Sequence, residues 1–91
     1  MKKVYLNGRA MRSREVAHEQ IARALDFPEW YGKNLDGLWD LLCDARAEVT
    51  FGGTDAMLSA LGEYGLRLLK TFYDAAEENP DLEFRVKPDW E

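Results

Sequence analysis

The sequence predicts a small α/β fold: a three-stranded parallel β-sheet packed with about four α-helices, as a single domain over residues 1–91. Three observations lead there. Three short stretches rich in branched and aromatic residues, Val4–Leu6, Val49–Phe51 and Leu82–Val86, have the character of strands. Two pairs of segments with apolar residues at helical spacing separate them, giving the order strand, helix, helix, strand, helix, helix, strand. A crossover that must hold helices favours parallel pairing and a right-handed connection.

Taken in order, Val4-Tyr5-Leu6 is closed by the turn pair Asn7-Gly8. Ser13 can cap a helix from Arg14 to about Leu25, with Glu15 at its positive end and Ala17, Ile21, Ala24 and Leu25 as its apolar side. His18 falls with Arg14, Glu19 and Arg23 on the polar face, as a solvated residue without a role. Phe27-Pro28 stops this helix, because proline disfavours helical geometry in the residue before it. Pro28 to Lys33 is then a loop carrying Trp30 and Tyr31. Tyr31 suits packing between helices, whereas Trp30 suits packing or recognition equally.

Asn34 is the next cap. Behind it Leu35, Leu38 and Leu42 share one apolar stripe, while Asp36, Trp39 and Asp40 repeat at the same spacing on another side. Asp36 lies in the first turn, where negative charge is favoured for the helix itself. Asp40 lies beyond it and has no such reason to be there. Asp44 to Glu48 is a polar connection into Val49-Thr50-Phe51, which ends at Gly52-Gly53. Thr54 is read as the cap of a short helix with Asp55 in its first turn and Met57, Leu58 and Leu61 inward. Gly62 ends it, and Gly65 marks a further break. From Leu66 to Glu78 a longer helix buries Leu68, Leu69, Phe72, Ala75 and Ala76, with Lys70 and Asp74 spaced to pair. Asn79-Pro80-Asp81 terminates it, and Leu82–Val86 alternates with period two. Pro88 onward reads as a frayed tail, in which Trp90 has no assigned role.

Composition narrows the function. With 12 basic and 17 acidic side chains the chain has a formal charge of −5. A nucleic-acid binder needs basic residues to displace counterions from phosphates, so that class is excluded. An acidic protein suits a basic protein partner, though the same charge also serves plain solubility. No apolar run approaches a membrane span and no signal segment opens the chain, so the expectation is a cytoplasmic protein, free of membranes and monomeric when alone. Cys43, the one cysteine, sits beside Leu41 and Leu42 and reads as a small buried hydrophobe. No cysteine–histidine spacing suggests a metal, no glycine pattern suggests a phosphate or dinucleotide, and no serine has a nucleophile's context. The expectation is therefore no catalytic residue, no metal and no cofactor.

Asp36 and Asp40 could hold a magnesium ion as a small enzyme, but nothing else converges on them. Protein binding fits better. Trp39 offers a rigid apolar anchor, and the two carboxylates can accept paired bonds from arginine. Asp74 and Glu78 add a second acidic group on the long helix. A cationic site that normally binds phosphodiesters is a matched target, because a carboxylate can take the place of a phosphate.

The run Pro28-Glu29-Trp30-Tyr31-Gly32-Lys33-Asn34-Leu35-Asp36-Gly37-Leu38-Trp39-Asp40 resembles the signature of the barstar family of intracellular ribonuclease inhibitors. Lys2-Lys3-Val4-Tyr5-Leu6-Asn7-Gly8, the helix around Phe72 and the last strand follow the family in order. The resemblance implies inhibition of a basic, secreted, barnase-like ribonuclease before export, or of a related nuclease toxin as an immunity protein. It implies a partner-binding set of Trp30, Tyr31, Asn34, Leu35, Asp36, Trp39, Asp40 and Asp74. Asp40 matches the chief inhibitory carboxylate, standing in for a substrate phosphate, and Asp36 a second carboxylate facing basic nuclease residues. Trp30 stands where the family has a tyrosine against the catalytic histidine. Three departures bear on the target. Asp74 replaces a glutamate, Asp44-Ala45 replaces a glycine-tryptophan pair, and the connection into the second strand is shorter and lacks the family's cis-proline. A binding module for a partner other than a nuclease is the remaining reading.

Overall fold

The sheet has all its strands parallel, in the order β1 (Lys2–Asn7), β2 (Ala47–Gly52), β3 (Leu82–Lys87). This computed structural model describes residues 1–89, and Trp90 lies outside the described residues. A 3₁₀ turn at Gly8–Ala10 follows β1, then α1 (Arg14–Leu25) and α2 (Leu35–Leu42) lead to β2, and α3 (Thr54–Leu61) and α4 (Glu63–Glu78) lead to β3.

Register explains why one sheet face is covered and the other is not. Val4, Val49 and Phe84 stand side by side, as do Leu6, Phe51 and Val86, and these point into the core. Between them lie the rows Lys3, Glu48, Glu83 and Tyr5, Thr50, Arg85, with Tyr5 67 % exposed. With strands added in chain order, right-handed crossovers place both helix pairs on the same side. The alternation seen in the sequence is thus the mark of a two-layer structure, unusual for parallel strands, which are commonly buried on both faces.

Phe51 on β2 meets Phe72 of α4 edge-on at 5.9 Å, and Phe72 stacks on Phe84 of β3 at 4.8 Å. Leu68 and Ala75, a turn to either side of Phe72, are fully buried, so the long helix seats on the sheet along the stripe its spacing predicts.

Local signals set most boundaries. The Ser13 hydroxyl accepts from the Val16 amide, and α1 ends where Asp26 turns left-handed at φ 55°. Two expectations need correction. Thr54 does not cap α3: Gly53 does, at φ 66°, and Thr54 is its buried first residue, because the chain must reverse immediately after β2. Gly65 does not break the chain either. It lies buried in the first turns of α4, where a Cβ would come within 2.8 Å of Met57 Sδ and 3.1 Å of Leu58. The glycine lets α4 approach α3, a packing reason that reads locally as a helix breaker.

Candidate protein-binding face

The loop from Pro28 to Lys33 and α2 are held from beneath. Tyr31 N donates to the Pro28 carbonyl at 3.0 Å, and the Tyr31 ring packs edge-on against Phe27 at 5.0 Å. At Gly37 in the first turn of α2 an added Cβ would crowd Asn34 Oδ1 at 3.2 Å, while the Tyr31 ring below lies at an ordinary contact distance of 3.5 Å. Asn34 Oδ1 accepts from Gly37 N at 2.6 Å, the cap its position predicts. Lys33, left-handed at φ 56°, reaches Glu19 of α1 at 3.4 Å.

Leu38 and Leu42 are fully buried, and Leu35, Trp39 and Leu41 are half-buried against the core. This leaves Asp36 and Asp40 exposed, one turn apart on the outward side. Trp39 offers only part of its indole outward. Trp30, 76 % exposed, is the most prominent apolar group beside α2. Tyr31 is buried to 7 % and underlies the loop instead of extending from it.

Asp74, half-buried on α4, is bonded to Lys70 at 2.8 Å. The half-buried Cys43 thiol is pushed up by burial and then by Glu78, Asp44 and Asp40, so negative charge surrounds the end of α2. Asp40 and Asp44 act on this thiol as chain neighbours, whereas Glu78 reaches it from α4, an approach that sequence spacing does not contain.

His18 requires the clearest correction. It is 1 % exposed, not solvated. Its Nδ1 lies 2.5 Å from the Tyr31 hydroxyl and its Nε2 lies 2.6 Å from the Tyr64 hydroxyl, which joins α1, the loop and α4. Ile21, Ala22 and Leu25 follow His18 at three, four and seven residues, a signal that it borders the apolar stripe. Burial holds the imidazole below its ordinary 6.5, with Glu15 opposing and Lys33 adding to the effect. The Tyr64 ring also lies 4.4 Å beneath the Arg14 guanidinium. Arg14, Tyr64 and Arg67 form one side of a surface cavity of about 450 Å³ whose other side is the chain from Lys33 to Asp36.

Among the described residues no three histidine, cysteine or acidic side chains are grouped to hold a metal ion. Also among them, no helix is long and apolar enough to cross a membrane. Such a face can bind a protein through an acidic helix with aromatic neighbours. It brings together no nucleophile with a base.

Residues 1–89 match the family described as Barstar (barnase inhibitor). The chain is also 35 % identical over 89 residues to the Bacillus subtilis (strain 168) protein named "Putative ribonuclease inhibitor YrdF", covering 94 % of this chain and 97 % of that protein. The parallel sheet, the four helices and a match spanning nearly the full sequence agree: this chain belongs to the barstar family, whose members are inhibitors and not enzymes.

Proposed function

We propose that the protein inhibits a basic, barnase-like ribonuclease by laying α2 and the preceding loop across its active site. Asp40 takes the place of a substrate phosphate, and Asp36 pairs with a neighbouring cation. Trp30, Asn34, Leu35 and Trp39 supply the surrounding contact, and Tyr31 supports it from below. Asp74 adds charge from α4 once it exchanges Lys70 for a partner. The inhibitor acts as a monomer inside the producing cell, before the nuclease is exported. The observation that supports this reading best is the division of α2. Leu38 and Leu42 are fully buried while Asp36 and Asp40 are exposed on the outward side, so the carboxylates are presented by a helix that cannot roll.

A carboxylate that enters a nuclease site is desolvated among cations, and removing it leaves those cations unpaired. Titrating barnase with the parent and with Asp40→Ala tests the assignment. The parent should inhibit at one-to-one stoichiometry, and the variant should bind at least about a hundredfold more weakly. Its unfolding midpoint should stay with the parent's, as an exposed helix carboxylate adds little to folding. Equal inhibition by the two proteins would remove Asp40 from the mechanism. The departures at Asp74, a shorter carboxylate than the family's glutamate, and at Asp44-Ala45, which lacks the family's tryptophan, bear on which nuclease is held most tightly. Repeating the titration with other secreted ribonucleases and with nuclease toxins separates the inhibitor from the immunity reading.

A further inference from the structure

We infer that His18 is a positioning residue for the recognition loop, a latch that holds Tyr31 only while its imidazole is neutral. The inference rests on the inhibitory face proposed above but on different atoms, none of which lies on that face.

Hydrogen bonding assigns the protons. Tyr31 is buried, and among the described residues its hydroxyl has one side-chain partner, His18 Nδ1. If Nδ1 carried the proton, the Tyr31 hydroxyl could only accept, and its own hydrogen would be left without an acceptor in the core, at a cost of about 1–3 kcal/mol. Tyr31 therefore donates to Nδ1, and Nε2 carries the proton and donates to Tyr64 Oη. Tyr64 is half-buried at the edge of the surface cavity, so its own hydroxyl hydrogen reaches water. The neutral ring satisfies every group in the chain Tyr31 to His18 to Tyr64.

Protonation of His18 breaks this at one end only. Nε2 keeps its bond to Tyr64. Nδ1 gains a hydrogen that points at the Tyr31 hydroxyl, which must then turn its own hydrogen into apolar surroundings or leave. Tyr31 sits between Trp30 and Gly32, so its departure takes the loop with it and loosens the approach to the Asn34 cap of α2. The charges facing the ring modulate the pH at which this happens. Glu15 on its own helix favours the proton and Lys33 on the loop opposes it, while on the Tyr64 side Arg14 lies over the tyrosine ring and Arg67 lines the same cavity. The consequence is an inhibitor that holds its nuclease at neutral pH and yields it in acid, without titration of any carboxylate on the contact face.

The experiment has two arms. In the free protein, backbone amide resonances of Trp30 to Lys33 are followed by NMR from pH 8 to pH 5 together with the His18 ring protons. They should shift with the midpoint of the ring. In His18→Gln, whose amide donates and accepts but cannot titrate, they should stay still. Tyr31→Phe should give, at pH 7.5, the loop shifts that the parent shows in acid. In the second arm barnase is the probe, and its Kd for the parent should rise by up to about tenfold per pH unit below the His18 midpoint. The His18→Gln profile should be flatter. Loop amides that ignore the ring titration, or a Tyr31→Phe loop identical to the parent's, would overturn the latch. Absence of barnase binding at every pH, with the loop amides still tracking His18, would count against the nuclease assignment and leave the latch standing.

Discussion

The Asn79 side-chain amide donates to the Leu42 carbonyl across 3.0 Å, tying the last turn of α2 to the end of α4. The same nitrogen donates to Ala45 O at 2.7 Å, and Asn79 Oδ1 accepts from Asp81 N at 3.0 Å. Carbonyls in the last turn of a helix have no partner within it, and α2 has no basic residue there to serve them. Asn79, 7 % exposed, does so from another helix.

Asn79→Ala takes the side-chain partner from the Ala45 carbonyl and the Asp81 amide, while Leu42 O keeps its bond from Ala45 N at 3.2 Å, and is expected to cost about 1–3 kcal/mol. Asn79→Asp should cost more, because a carboxylate oxygen would replace the donor that faces both carbonyls. Urea unfolding monitored by circular dichroism measures both. A loss under about 0.5 kcal/mol in Asn79→Ala would mean that water replaces the amide and that the tie is dispensable.

A second expectation concerns pH and follows from the sign of the His18 shift. The folded protein holds this ring below 6.5, the value of the unfolded chain. Above that pH both states carry a neutral imidazole and the ring adds no pH dependence. As pH falls below 6.5 the unfolded chain takes the proton first, so stability declines until the folded ring titrates as well. The urea midpoint of the parent should therefore drop between pH 7 and pH 5.5, above the range where ordinary carboxylates titrate, and that of His18→Gln should drop less. A parent midpoint that is constant, or that rises, across this window contradicts the burial of a neutral ring.

What could be read in advance follows the range of the interactions involved. α1 runs from Arg14 to Leu25 as its cap and stop predict, because Ser13, Phe27 and Pro28 act within one turn of the ends they set. The outward placement of Asp36 and Asp40 follows from the spacing of Leu38 and Leu42 in the same helix. His18 was legible only in part: its spacing from Ile21 and Leu25 hinted at burial, but its partner Tyr64 lies 46 residues away. Gly65 reads locally as a break for the same reason, since its contacts are Met57 and Leu58 on the neighbouring helix. The influence of Glu78 on Cys43 depends on how α2 lies along α4, which no local pattern contains, whereas Asp40 and Asp44 flank the cysteine in the chain itself.

Gly8 sits where an added Cβ would be crowded by backbone. A Cβ built there would stand 2.4 Å from the Gly53 carbonyl oxygen and 2.8 Å from its carbon, both main-chain atoms at the turn into α3. A flexible side chain can swing aside, but a strand end bonded on either side cannot. Gly8→Ala is expected to destabilise by about 2 kcal/mol or more. Gly62→Ala is the control: it meets open space but must adopt φ 60° with ψ −134°, a region that side chains rarely enter, and should cost about 1–3 kcal/mol. Comparison of the two urea midpoints separates crowding from backbone strain, and a Gly8→Ala protein as stable as the parent would show that the turn relaxes.

Lys70 gives a test of which way α4 faces. It bonds Asp74 at 2.8 Å on the surface, and that carboxylate holds the lysine above its ordinary pKa, first through the bond and then through charge. For the proposed complex this pair is a handicap, since Lys70 repels a basic nuclease and occupies the carboxylate that would attract it. Lys70→Ala should leave the melting temperature close to the parent's, because exposed ion pairs of this spacing contribute little. Association with barnase should quicken by about two- to fivefold at low salt, with the gain fading as salt screens the surface. The sign is what discriminates. A basic partner approaching this face gains from loss of the lysine, whereas a partner docking elsewhere is indifferent to it and an acidic one is slowed. Stopped-flow association rates at two ionic strengths decide among the three.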